Sequence, residues 1–136
     1  MFATDVNAVS VVAIIAAIAL WALAAAAVVA AVTLVAWNFL RGRFFVTGNA
    51  RAFDVIGWTL VLAPIAIVML ETMGRNGVTA ALGIGGGEPV HPIEFWTIAP
   101  VFAIGVTVGL VAVAFRRGIR LHGENRELER ETEGLV

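Results

Sequence analysis

The chain has 136 residues, of which 60% are hydrophobic and 14% charged, and its formal net charge is −1. An ordinary soluble domain carries about 25% charged residues. With a mean hydropathy of +0.94, this small chain has too little polar surface to face water on all sides, so lipid is the expected solvent. The absence of cysteine excludes disulfides, thiolate metal sites and a cysteine nucleophile.

The N-terminal "MFATDVNA" carries only Asp5, and an apolar run follows from Val9 to Trp37, broken by Ser10 and Thr33. It exceeds the about 7–15 residues of a signal-peptide core and no arginine precedes it, so a retained span is predicted. A helix needs about 20 residues to cross the hydrocarbon layer. Halving the run would leave two segments too short, with no Gly or Pro for a turn, so one long helix over about 8–38 is predicted. Its centre, "ALWALAAAAVVAAV", is alanine-rich, which favours close helix–helix approach. Trp21 falls mid-span and is expected to pack against another helix, whereas Trp37 belongs at an interface.

The connecting stretch "RGRFFVTGNARAFDVIGW" interleaves Arg41, Arg43 and Arg51 with Phe44, Phe45 and Phe53. That pattern suits a segment lying in the headgroup layer. Thr47 or Asn49 is the expected cap of the next helix, and Asp54 is expected near Arg51. The second span, about 53–73, contains Pro64, which membrane helices tolerate when neighbours satisfy the freed carbonyl. Trp58 lies near its predicted interface.

The segment "ETMGRNGVTAALGIGGGEPVHPIEF" is expected to be a flexible connector. Its glycines lack the strand and lysine of a phosphate-binding loop. Glu88, His91 and Glu94 recur every three residues, but Pro89 and Pro92 break any regular ligand face, so solvated loop residues are expected rather than a metal site. Glu71 and Glu94 are expected at span ends and Trp96 at an interface.

The third span, about 94–115, holds Pro100 early and a Gly105–Gly109 pair four residues apart. That pair matches the small-residue packing motif of membrane helices, and its expected seat is the alanine face of the first span or a second subunit. The cytoplasmic tail, 116–136, opens with Arg116, Arg117 and Arg120 and continues into glutamates. Helical spacing pairs Arg120 with Glu124, Arg126 with Glu129 and Arg130 with Glu133, while Gly118 and Gly123 weaken and hinge that helix. His122 is expected to be solvated.

The arginine distribution fixes an expected orientation by the positive-inside rule: N-terminus outside, C-terminus cytoplasmic. The prediction is thus an all-α fold, a single domain over 1–136 and a multi-pass bundle of three transmembrane helices with a charged helical tail, in the bacterial inner membrane. Only Ser10, Thr33, Thr59, Thr97 and Thr107 bring hydroxyls into the spans, too few to line a conducting path in one copy. No nucleophile–base pair, buried carboxylate pair or haem ligand is present in the spans, so neither an enzyme nor a cofactor is expected.

Two stretches also carry a resemblance. Gly42, Phe45, Asn49, Ile56, Gly57 and Trp58, with Phe115, Arg116, Gly118, Leu121, Glu124 and the terminal "TEGLV", resemble the punctuation of a small bacterial integral membrane family of unknown function. It covers roughly Arg41 to the end. Its members usually have four spans and are often encoded beside a Cro-type helix-turn-helix regulator. The resemblance implies a membrane partner for a transcription factor, with the missing first span's packing surface supplied by another subunit. No direct nucleic-acid contact is expected.

The leading functional expectation is protein–protein interaction at the cytoplasmic face, with Arg41, Arg43, Arg51, Arg116, Arg117, Arg120 and Glu124 as the docking residues. A second reading, based on Gly105, Gly109 and Trp21 as packing residues, is an accessory subunit of a larger membrane complex. A third is an oligomeric channel or transporter, which would require a homo-oligomer.

Overall fold

The computed structural model describes residues 7–86 and 91–135. It contains three long helices, α1 (Ala8–Leu40), α2 (Thr47–Ala81) and α3 (Ala99–Glu133), with a single 3-10 turn at Phe95–Thr97 before α3. All three are long and apolar enough to cross a membrane. At 1.5 Å per residue each measures about 50 Å, more than the ~30 Å of a hydrocarbon layer. Large apolar side chains such as Ile18, Leu23, Trp58 and Leu110 point outward along them, as expected of helices whose solvent is lipid.

The asparagine at position 7 starts α1, its side chain accepting from the Val9 amide at 3.1 Å. Both α1 and α2 end alike. After α1, Gly42 takes φ +70°, its amide bonds the Phe39 carbonyl, and the Arg43 amide reaches back to Asn38. After α2, Gly83 takes φ +71°, its amide bonds Ala80, and Ile84 reaches back to Thr79. This paired closure satisfies the last helical carbonyls and requires a left-handed residue, for which glycine is the cheapest choice.

Helix α2 is the central element. It packs against α1 on one side and α3 on the other, whereas among the described residues α1 and α3 bring no Cα atoms within 8 Å of each other. The buried positions are mostly small: Ser10, Ala13, Ala17 and Ala31 on α1, Gly57 and Gly74 on α2, Gly105 and Ala112 on α3. Without a hydrophobic driving force in lipid, close backbone approach and dispersion hold helices together. The apolar centre is Ala31, Ala52 and Ile56, wrapped by Val28, Val35, Phe53, Leu60 and Val108.

Two glycine contacts set the crossings. A Cβ on Gly57 would sit 3.1 Å from the Gly109 nitrogen and 3.2 Å from the Gly105 oxygen, so α2 and α3 meet backbone to backbone. The Gly105–Gly109 ridge thus seats α2, not the alanine face of α1: the receiving notch is Gly57, a single glycine that no spacing motif marks. Near the other end, Cβ atoms on Gly74 and Gly77 would run into Ile14 and Ser10 of α1.

That second crossing corrects the expected connector. Residues 71–81 are helical and continue α2 past position 73, because Ser10 and Ile14 seat on the glycines that looked like loop signals. Helix α2 also runs unbroken through Pro64. Helix α3 begins at Ala99, later than position 94, with Pro100 in its first turn where no amide is needed. Within the single chain Trp21 is 65% exposed, its indole lying off the small-residue stripe that forms the buried face of α1.

Candidate functional site

The arginine-rich end is where all three helices are tied together. The turn between α1 and α2 is held by Asn49, whose side chain is completely buried. Its Nδ2 donates to the carbonyls of Arg43 at 3.1 Å and Phe44 at 2.9 Å, and its Oδ1 accepts from Asn38 Nδ2 at 2.7 Å. Asn49 therefore does not cap α2; the cap position is Val46, with no side-chain bond, and Thr47 is already helical. The side chain is used for closing the turn instead.

An aromatic cluster completes this end. Phe115 of α3 lies 4.9 Å from Phe53 of α2, 6.0 Å from Phe45 of the turn and 6.3 Å from Phe39 of α1, between ring centroids. Phe44 adds a tilted contact with Phe39 at 5.2 Å. Phe45 also lies flat over Gly118, where a Cβ would approach its ring to 2.9 Å, and beside the His122 ring at 6.3 Å. His122 is thus exposed but stacked. Such pairs contribute roughly 0.5–1.5 kcal/mol each beyond their burial.

Around this cluster stand the arginines. The Arg41 guanidinium lies 4.6 Å over the Trp37 ring. Arg116 donates to Asp54 at 2.6 Å, linking α2 and α3 across 62 positions of sequence. Asp54 was expected near Arg51; the geometry turns it to α3 because Gly57, one turn on, brings that helix close. Arg120 donates to Glu124 at 3.0 Å, and both are well exposed. The expected pairs Arg126–Glu129 and Arg130–Glu133 do not form among the described residues.

Beyond the cluster, α3 continues without a hinge. Gly118 and Gly123 stay helical, and the helix runs to Glu133. From Arg116 onward this is about 27 Å of helix, exposed at every position from Leu121 on.

The opposite end is bound more loosely. Asn76 pairs with a single residue of the connection: its Nδ2 donates to the His91 carbonyl at 2.9 Å and its Oδ1 accepts the His91 amide at 2.8 Å. Glu71 and Arg75 form an ion pair along α2, and with His91, Glu94 and Thr97 they line an open crevice of about 250 Å3. His91 is half-buried and tied through its backbone, rather than a free loop residue. Glu88 lies outside the described residues. Midway along the bundle, where α1 and α3 stay apart, an apolar crevice of about 470 Å3 opens over Pro64, lined by Trp21, Ala25, Val28, Thr59 and Val101 among others.

Four residues that carried the resemblance have structural work at this site: Gly42 turns the chain, Asn49 closes the turn, Gly57 admits α3 and Gly118 receives Phe45. No protein-family model, curated protein or solved structure matches the chain.

Proposed function

We propose that this is a non-enzymatic, multi-pass protein of the bacterial inner membrane that docks a cytoplasmic protein through its arginine-rich end and the extension of α3. The observation that carries the reading is the α3 extension: a charged helix exposed at every described position from Leu121 on, rooted in an aromatic cluster shared by all three helices. A helix standing clear of its own chain gains no packing energy there, and bridging to another surface is one way such a helix is stabilised. Every arginine except Arg75 lies at or beyond this end, which supports a cytoplasmic orientation. The resemblance supports a helix-turn-helix regulator as the partner.

The chain has no native cysteine, so single introduced thiols report sidedness. Glu131→Cys is expected to react with a membrane-impermeant maleimide only in inverted vesicles, and Ile84→Cys in intact spheroplasts. Labelling of Glu131→Cys in intact cells would overturn the orientation. Truncation after Arg117 is expected to abolish co-purification of a cytoplasmic protein from native membranes; an unchanged set of partners would overturn docking.

A second reading is favoured by one observation. The apolar crevice over Pro64 opens where α1 and α3 bring no Cα atoms within 8 Å of each other, which suits a span of another membrane subunit. Purification in mild detergent tests it: a fixed ratio to larger membrane subunits supports an accessory role.

A further inference from the structure

We infer that the α3 extension is one half of a heterotypic coiled coil whose other strand is an amphipathic helix of a different protein, with leucine-type seam residues and basic flanks. This rests on the docking reading above and names the chemistry of the partner.

Leu121 and Leu128 are seven residues apart on a continuous helix, and each is 60% exposed. Leu135, the next heptad step, follows just past the helix end and is 87% exposed. Asn125 and Thr132 fall four residues after each leucine, on the same face, which gives the alternating spacing of a two-stranded seam. Gly118 begins this seam, and Phe45 already occupies it. The chain therefore covers the first step of its own stripe and leaves the rest open.

Charge decides what lies on it. Glu124 and Glu131 flank the leucines on one side and Glu129 on the other, while Arg126 and Arg130 lie on the opposite face of the helix. Only Glu124 has an ionic partner within the chain, Arg120; Glu129 and Glu131 have none among the described residues. A second copy is a poor occupant. In a parallel pair Glu124 of each copy would meet Glu129 of the other, and in an antiparallel pair acidic flanks would again face acidic flanks. Flanking charges set partner choice, so lysine or arginine belongs at those positions of the occupant. Asn125 in the seam further calls for a polar residue opposite it, which fixes register.

The test uses the full-length protein in nanodiscs and two fluorescent peptides of about three heptads, both with leucine and one asparagine in the seam. One carries lysine and the other glutamate at the flanking positions. The lysine peptide is expected to bind about tenfold or more tighter than the glutamate peptide, and to weaken as salt rises. Leu128→Ser should reduce that binding by about tenfold, whereas Arg126→Ala on the far face should leave it unchanged. Circular dichroism of Leu128→Ser separates lost contact from a melted helix, and Leu121→Ser provides an independent variant. Equal binding of the two peptides, binding by neither, or indifference to both serine variants overturns the proposal. So does self-association of the unliganded protein that Leu128→Ser abolishes. Peptide binding does not depend on sidedness, so an extracellular tail would defeat the docking reading while leaving this result to be judged alone.

Discussion

The two ends of the bundle are each closed by an asparagine, and they are closed differently. At the arginine-rich end, Asn49 is wholly buried and bonds two carbonyls of a six-residue turn and the Asn38 side chain of α1, under a cap of phenylalanines. At the other, Asn76 is half-buried and clasps the backbone of one residue across a much longer connection. A side-chain amide can replace a strand of missing backbone partners, but its value depends on how dry its surroundings are. One end is therefore a dry, multiply bonded base, whereas the connection at the other is held, among the described residues, by a half-buried clasp.

The largest expected effect is at the base. Asn49→Ala leaves two carbonyls and the Asn38 amide without their partner, and is expected to cost about 2–3 kcal/mol, measured by reversible unfolding in mixed micelles. A cost no greater than that of Asn76→Ala would break the contrast. Gly57→Ala comes next, at about 1–3 kcal/mol, because its Cβ would press on the backbone of α3 rather than on a pliable side chain. Asn76→Ala is expected to cost about 1–2 kcal/mol, and hydrogen exchange of the His91 amide should rise while that of the Arg43 amide does not. Asp54→Asn should cost no more than about 1 kcal/mol, since Arg116 is half-exposed. Gly109→Ala is the smallest, within about 0.5 kcal/mol, as a Cβ there would meet open space. Gly57 and Gly109 touch each other, yet only one tolerates a methyl group.

The three apolar helices are legible in the sequence because hydropathy is a local property summed along the chain. The last turns of α2 are not. "ETMGRNG" reads as loop by composition, and what seats it as helix is Ser10 and Ile14, some sixty residues earlier in the chain. The arginine cluster is visible by counting, but the Asp54–Arg116 link depends on a crossing that Gly57 and Gly105 together permit. Asn49 looked like a cap, since asparagine before an apolar run usually is one; its actual partners lie in the preceding turn. The seven-residue leucine spacing of the tail is plain in the letters. It is diluted by charges on every other face and becomes meaningful only once α3 is seen to continue through Gly118 and Gly123.

The uninterrupted α3 has a mechanical consequence. Unbroken from Ala99 to Glu133, α3 carries its exposed part as a lever arm fixed at Phe115 and Arg116. A change of ten degrees or so in the tilt of the buried part would swing the tip by roughly 5 Å, from the about 27 Å beyond the pivot. In the membrane arrangement proposed above, a lipid thickness that changed helix tilt would therefore also displace that exposed surface.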